Sequence, residues 1–114
     1  MATEACLFCQ IVKGEIPAER VAESDHALAF HDIAPQAPVH VIVIPKRHYA
    51  SMTDVPDGSV LGAMAMLAKQ VAKDLELAEK GHRIVINTGK NGGQTVDHIH
   101  LHLLGGRKMK WPPG

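Results

Sequence analysis

The chain has 114 residues, and its twelve basic side chains balance twelve acidic ones, so the formal net charge is zero. This length supports one domain with one modest core. The balanced charge excludes a global field that would recruit nucleic acid or an anionic membrane surface, so neither is expected as a partner. No apolar run approaches the length of a bilayer span.

The N-terminus shows no targeting pattern. Met1–Glu4 lacks the basic start and the apolar segment of a signal peptide. Two cysteines are too few for a disulfide framework and fit a reducing compartment. We therefore expect a cytoplasmic protein with a single domain over residues 1–114, in which residues 1–5 and 107–114 are terminal segments.

Three short elements are predicted in the first third of the chain. Cys6–Gly14 has a roughly helical apolar period, and Gly14 can end the helix. Residues 20–23 and 27–32 have the composition of two short strands joined by a polar turn, which predicts a hairpin. The segment 34–38 contains two prolines that cannot donate to a sheet ladder, so we predict a loop there.

The strongest strand pattern is Val39–Ile44, which is apolar and β-branched at nearly every position, as in a central strand covered on both faces. His40 interrupts this strand, either as a buried structural histidine or as a functional residue beside a neighbouring strand. Apolar residues at spacings of three and four then predict an amphipathic helix over 59–77. Residues 82–87 predict one more strand.

The segment Thr88–Thr95 is rich in glycine and in hydrogen-bonding side chains. Its backbone amides could approach phosphate oxygens closely, although an ordinary hairpin loop would have the same composition. The C-terminal tail carries the single tryptophan of the chain, Trp111. It is either part of a frayed end or covers a subunit or ligand surface.

Three histidines alternate with apolar residues in Asp97–Leu104. The period of two predicts a strand with all three imidazoles on one face. Buried imidazoles need a hydrogen-bond partner at each ring nitrogen, so three of them indicate a face that binds or transforms something polar rather than ordinary core. A metal site and a histidine acting as base or nucleophile both fit, and an exposed polar face is the alternative without function.

Together these elements predict an α+β fold with an antiparallel sheet of about five strands, one long helix and one short helix. The run from His98 to Leu104 resembles the signature of the histidine-triad (HIT) superfamily of nucleotidyl hydrolases and transferases. The rest of the chain resembles the Hint branch of that superfamily, which implies a HIT-like fold. The further matching motifs are Phe30-His31-Asp32-Ile33, Pro35-Gln36-Ala37-Pro38, His40 with Ile44-Pro45-Lys46, Gly92-Gly93-Gln94, Gly105-Gly106-Arg107 and Trp111-Pro112-Pro113-Gly114.

The resemblance implies hydrolysis of purine nucleoside phosphoramidates or aminoacyl adenylates, that is, of AMP or GMP conjugates, with no cofactor needed for catalysis. It makes His100 the nucleophile, and a neutral imidazole suits this role near pH 7 because the ordinary pKa of histidine is about 6.5. His102 would donate to a phosphate oxygen, His40 would support it from the next strand, and His98 completes the catalytic set.

The resemblance also implies a substrate-binding set and a homodimer. Asp32 would accept both ribose hydroxyls. Position 95 is often Ser in this branch, and Thr95 keeps the hydroxyl while restricting its rotation. In Hint proteins each C-terminal tail approaches the partner's pocket, which would bring Trp111 there. The purine pocket would be lined by Phe30, His31, Ile33, Leu7, Phe8, Ile11 and Ile16, and the phosphate and leaving group would be held by Asn87, Gly93, Gln94 and Thr95.

Cys6 and Cys9 form a second motif. Their spacing is too tight for a comfortable structural disulfide, so metal binding or inert burial is favoured over redox use. The pair resembles that of bacterial HIT proteins with a structural Cys2His2 zinc site, in which His48 and His98 would complete a closed tetrahedral shell.

Two other functions remain open. One is a purine-nucleotide-binding sensor or adaptor whose hydrolysis is incidental. The other is a catalytic zinc hydrolase that uses all three triad histidines, His98, His100 and His102. The amine or acyl leaving group and the preference for adenine or guanine do not follow from the sequence.

Overall fold

The computed structural model describes residues 5–114, so the interpretation of Met1–Glu4 lies outside the described residues. Five strands form one sheet in the order β1-β2-β3-β5-β4, and every neighbouring pair is antiparallel. The predicted α+β fold is confirmed. The elements are α1 (Leu7–Val12), β1 (Arg20–Glu23), β2 (Ala27–His31), β3 (Val39–Pro45), a 3-10 turn (Met52–Asp54), α2 (Gly58–Asp74), β4 (Arg83–Val85), α3 (Gly89–Gly92) and β5 (Leu101–Gly105).

The strand β3 is central, as its sequence predicts. It pairs with β2 on one side and with β5 on the other, and His40 to Pro45 are all buried. The register places His40 opposite Leu104 and Ile42 opposite His102. His40 and His102 are therefore diagonal neighbours on the same face of the β3–β5 pair, and their rings are in contact.

Each face of the sheet has its own core. The long helix α2 covers one face, where Met64 and Val71 pack against the sheet. Its first turn is capped by Asp57, whose carboxylate accepts the backbone N–H of Ser59 at 2.8 Å. The short helix α1 covers the other face, where Phe8 and Ile11 join a smaller core. The short helix therefore covers the face that the histidine pattern predicts to be functional.

The triad strand is shorter than its sequence pattern predicts, because β5 begins at Leu101 rather than near Asp97. Upstream of it, the backbone N–H of Ile99 donates to the carbonyl of Tyr49 at 2.7 Å, outside the sheet ladder. The alternation of side chains is nevertheless confirmed. Ile99 and Leu101 lie in the core under α2, whereas His100 contacts Phe8 on the opposite face.

Two further predictions need correction. The strand expected over 82–87 covers only Arg83–Val85. The Gly-rich segment is not a simple hairpin loop, because it contains the four-residue helix α3, which Gly93 ends at a φ of +80°. Among the described residues, no helix is both long and apolar enough to cross a membrane.

Candidate functional site

A cavity of about 260 Å³ lies between α1 and the sheet, and most of its walls are apolar. It is polar at one end, where His100 and His102 reach it from the triad segment and Asp32 from the end of β2. The lining residues are Leu7, Phe8, Ile11, Ile16, Pro17, Ala18, Phe30, His31, Asp32, Ile33, Ile42, Thr95, Val96, His100 and His102. An apolar cleft with a few convergent polar groups is the usual form of a small-molecule site.

His100 is 3% exposed and has one ring nitrogen without a hydrogen bond to the protein among the described residues. Its Nδ1–H donates to the backbone carbonyl of His98 at 2.8 Å. Since a carbonyl only accepts, the neutral ring carries its proton on Nδ1, and Nε2 keeps its lone pair. The ring of Phe8 packs edge-on against it with centroids 5.1 Å apart. His100 is therefore oriented as a nucleophile or a base.

His102 has the opposite tautomer, which a chain of hydrogen bonds sets. The backbone N–H of Gln36 donates to His40 Nδ1 at 3.0 Å, so the proton of His40 is on Nε2. His40 Nε2 lies 2.8 Å from His102 Nδ1, so its N–H donates to that nitrogen. The proton of neutral His102 is then on Nε2, the nitrogen that is not bonded to His40. His102 is thus prepared as a hydrogen-bond donor beside His100.

Asp32 closes the polar end of the cavity. One carboxylate oxygen accepts the backbone N–H of Ala34 at 2.8 Å, and the other lies 3.3 Å from His40 Nε2. Each carboxylate oxygen can accept two hydrogen bonds, so acceptor positions remain for a ligand hydroxyl. The side chain of Asp32 is 16% exposed, which leaves it accessible from the cavity.

Two of the imidazoles at this end, those of His40 and His102, have a pKa below the ordinary value. Burial, together with the neighbouring rings of His100 and His40, lowers the pKa of His102 to about 4. Burial also lowers the pKa of His40, against the opposing effect of the Asp32 carboxylate. Neutral rings can hold the donor and acceptor pattern described above, whereas protonation of either ring would break it.

We expect the protein to lose stability as the pH falls from about 6.5 towards 4. In the unfolded chain, the ring of His102 takes up a proton as the pH falls through about 6.5. In the folded chain, the same ring stays neutral until the pH falls to about 4. The free energy of unfolding therefore falls with pH across this window and keeps its full value above it. After allowance for the partial exposure of its ring, His102 should account for about 1 to 2 kcal/mol of the decrease in the free energy of unfolding. Urea unfolding at pH 7.5 and pH 4.5 measures the loss.

The matched variants are His102→Gln and His82→Gln, since His82 is exposed and lies outside the cavity. His102→Gln should lose less stability than the wild type between the two pH values, and His82→Gln should lose as much as the wild type. Equal losses in all three proteins would show that burial of His102 has no such effect.

Four potential metal ligands converge at the other end of the triad segment. We call Cys6, Cys9, His48 and His98 the Cys2His2 cluster. Their facing atoms are 3.4 Å apart for Cys6 Sγ and His98 Nδ1, 3.3 Å for Cys9 Sγ and His48 Nδ1, 3.5 Å for Cys9 Sγ and His98 Nδ1, and 3.2 Å for the two Nδ1 atoms.

These spacings fit a zinc ion. With ligands at about 2.0 to 2.3 Å, the corners of a tetrahedral zinc site lie about 3.3 to 3.8 Å apart. The tautomer of His98 also fits, because its Nε2–H donates to the carbonyl of Pro45 at 2.9 Å and leaves Nδ1 free as a ligand. Burial raises the pKa of Cys9 to about 11, so the thiol carries a proton when no metal is bound. Binding of a metal to the thiolate would release that proton. The donor set is compatible with zinc, and the shell would have no open position.

Asp32, His40 and His102 form a second group of possible ligands, but hydrogen bonds already account for it. His40 carries its proton on the nitrogen that faces His102, and the distance of 2.8 Å between the two rings is that of a hydrogen bond. His98 belongs to the Cys2His2 cluster and His100 to neither group. The triad histidines therefore do not share one metal site in the described part of the chain, which disfavours a catalytic zinc bound by all three.

Some predicted binding residues lie outside the cavity lining of this chain, and their roles stay predictions. The Gln94 amide donates to the carbonyls of Ala50 and Val96 and accepts the backbone N–H of Gly89, so it fixes loops. Trp111 is 80% exposed. The predicted residues outside the lining are Asn87, Gly93, Gln94, Trp111, His40 and His98.

Four lining residues were not predicted. Ile42 could have been found, because a strand neighbour of the triad must face the same side as the histidines. Pro17, Ala18 and Val96 lie in irregular segments that no periodic pattern connects to the triad. The unpredicted lining residues are Pro17, Ala18, Ile42 and Val96.

Comparison with known proteins agrees with this geometry. Residues 13–109 match the model of the HIT domain. A HIT family hydrolase from Legionella pneumophila Philadelphia 1 is 54% identical, with a TM-score of 0.92 and coverage of 96% of this chain and 99% of that one. A histidine triad nucleotide-binding protein from Candida albicans is 36% identical, with a TM-score of 0.82 and coverage of 94% and 82%.

A Zn-bound histidine triad family protein from Mycobacterium smegmatis is 39% identical, with a TM-score of 0.84 and coverage of 92% of this chain and 77% of that one. The five-stranded antiparallel sheet and the long helix agree with the fold of these structures. The chain therefore belongs to the HIT domain family.

Proposed function

We propose that the protein hydrolyses nucleoside 5'-phosphoramidates or aminoacyl adenylates of purines through a nucleotidyl intermediate on His100. The observation that carries this proposal is the bond from His100 Nδ1–H to the carbonyl of His98, which leaves the Nε2 lone pair on a ring that lines an apolar-walled cavity. A HIT family hydrolase and a nucleotide-binding member among the similar structures support a hydrolase of nucleotides.

In the first step, His100 Nε2 attacks the α-phosphorus, a nitrogen-phosphorus bond forms and the bond from phosphorus to the leaving group breaks. An amine leaving group takes up one proton from solvent or through the hydroxyl of Thr95, a residue of the cavity lining. His102 Nε2–H donates to a phosphate oxygen as negative charge builds on it. The carbonyl of His98 stabilises the positive charge that the His100 ring gains.

In the second step, water attacks the same phosphorus, the bond to His100 breaks and the nucleoside monophosphate leaves. The water supplies the new oxygen, its proton balances the one that the leaving group took, and His100 returns to its neutral tautomer. Splitting the reaction through a histidine intermediate suits this site, because the Nδ1–H bond to His98 is maintained throughout.

The remaining cavity residues would bind the nucleoside. The apolar wall formed by Phe8, Ile11 and Phe30 fits a purine ring, and the free acceptor positions of Asp32 fit the ribose hydroxyls. Zinc in the Cys2His2 cluster would be structural, since the shell is closed and lies on the other side of His98.

A homodimer is part of the proposal. The strand β4 is at the edge of the sheet, and its Ile84 is 42% exposed. Arg83 of the same strand lies 6.0 Å from the ring centroid of Trp111 and donates to the carbonyl of Lys110, so the tail follows this edge. An unpaired edge with exposed apolar side chains favours association with a second copy.

The test is a denaturing quench at alkaline pH after a single turnover with adenosine 5'-phosphoramidate, because the phosphorus–nitrogen bond to histidine is hydrolysed in acid. We expect mass spectrometry to find AMP bound covalently to the peptide that contains His100, and this adduct should disappear at later times as free AMP accumulates. A protein that binds AMP but shows neither turnover nor adduct would be a nucleotide sensor or adaptor, and the proposed activity would be wrong.

A further inference from the structure

We propose that the Cys2His2 cluster positions the nucleophile, in addition to stabilising the fold, so that ligation of a thiophilic metal such as Zn²⁺ sets the orientation of His100. Cys6, Cys9 and His48 are positioning residues in this proposal, and they act through His98. The proposal rests on the proposed function, because it assigns them an effect on that reaction.

The first step of the argument is that His98 belongs to both sites. Its Nδ1 faces the cluster, its Nε2–H donates to the carbonyl of Pro45 at 2.9 Å, and its own carbonyl accepts the Nδ1–H of His100 at 2.8 Å. The side chain is fully buried. One residue thus connects the potential metal ligands directly to the group that fixes the tautomer of the nucleophile.

The second step is that the sheet does not hold this carbonyl in place. The ladder of β5 begins at Leu101, so residues 98 to 100 lie outside it. Their described backbone attachment is the bond from Ile99 N–H to the carbonyl of Tyr49 at 2.7 Å. The backbone that orients His100 therefore depends on the segment after β3, where His48 is located, and on the His98 ring.

The third step concerns the wall against which His100 packs. Phe8 lies between the two cysteines in sequence and packs edge-on against His98 at 5.9 Å and against His100 at 5.1 Å. The helix α1 has only six residues, and a helix this short has little stability of its own. Two thiolate ligands at its start would fix it to the sheet at the point where Phe8 contacts the nucleophile.

Without a metal, this arrangement depends on weak contacts. The Nδ1 atoms of His48 and His98 both point into the cluster at 3.2 Å, and thiols are poor hydrogen-bond donors. Four coordinate bonds would replace these contacts by a fixed geometry. A shift of the nucleophile by about 1 Å can reduce a rate by about 100-fold, so a small relaxation at His98 is enough for a measurable effect.

The test compares His48→Asn, chelator-stripped wild type and Arg20→Ala with zinc-loaded wild type. His48 contacts neither the cavity nor His100. Arg20 donates to the carbonyl of Ile11 at 2.7 Å, so its loss loosens the end of α1 without removing a cluster ligand. Steady-state hydrolysis of adenosine 5'-phosphoramidate gives kcat and KM, and proton NMR detects the hydrogen-bonded Nδ1–H of His100.

We expect His48→Asn and the stripped protein to lose at least about tenfold in kcat with a smaller change in KM, and to show a weakened or exchanging His100 Nδ1–H signal. Zinc should restore the stripped wild type and not His48→Asn. Arg20→Ala should keep its kcat and its Nδ1–H signal even where its thermal midpoint falls. Sheet amide signals confirm that each protein is folded.

Unchanged kcat and an unchanged Nδ1–H signal in folded, metal-free protein would overturn the proposal. It would also be overturned if Arg20→Ala lost as much kcat and signal as His48→Asn, because general packing of α1 would then be the cause. If the zinc-loaded wild type shows no turnover, the proposed function fails, and the Nδ1–H signal alone decides whether the cluster positions His100.

Discussion

Replacement of His100 by alanine is expected to reduce phosphoramidate hydrolysis by at least about 1000-fold, because the attacking nitrogen is removed and water must replace it. AMP binding should persist within about tenfold, since the apolar walls and Asp32 remain in place. Steady-state turnover of adenosine 5'-phosphoramidate and calorimetric titration with AMP measure the two quantities separately.

His82→Ala is the matched control, because it also removes an imidazole but from an exposed position outside the cavity. It should keep both turnover and binding. Turnover by His100→Ala within tenfold of the wild type would exclude the covalent mechanism. Loss of both AMP binding and the folded signal would mean that the variant is misfolded, and His100→Asn, which keeps a polar side chain of moderate size, then replaces it.

Zinc should raise the thermal midpoint by more than about 10 °C over chelator-treated protein. A ligand present at about 1000 times its Kd adds about 4 kcal/mol to the free energy of unfolding, and a domain of this size gains several degrees per kcal/mol. The Cys2His2 cluster fits this expectation, because its four ligand atoms already face one another at tetrahedral spacings. Thermal unfolding followed by circular dichroism, with and without a zinc chelator, measures the difference.

Cys9→Ser should remove most of this zinc-dependent gain, since a hydroxyl is a poor zinc ligand compared with a thiolate. Mg²⁺ should have no effect on the wild type, because it prefers oxygen ligands. An equal midpoint with zinc and with chelator would show that the four residues are only buried neighbours. A gain that persists in Cys9→Ser would place the bound metal elsewhere.

The parts of the fold that could be predicted from sequence are those with a local period. Val39–Ile44 is apolar on both faces apart from His40, and this pattern predicts the central strand that the structure shows over Val39–Pro45. The alternation of His98, His100 and His102 with Ile99 and Leu101 likewise predicts which side chains share a face. Both predictions are confirmed. They succeed because the pleat of a strand sends successive side chains to opposite faces, so the burial of each face can be read from the local sequence.

The tautomers of the site could not be predicted in this way. That of His40 depends on the backbone N–H of Gln36, and that of His100 depends on the carbonyl of His98. Both partners are backbone groups, which every residue has, so their identity in the sequence gives no signal. The late start of β5 has the same origin, since Ile99 N–H bonds to Tyr49 instead of to a strand.

The cavity contains no lysine or arginine among its lining residues, and its one acidic side chain is that of Asp32. A phosphate group there would meet no lysine or arginine side chain, and the ring of His102 would be a neutral donor. Affinity would then come mainly from the base and the sugar, so inorganic phosphate and polyphosphates would gain little from entering. The cleft would also hold a charged product loosely, which favours rapid release after each cycle.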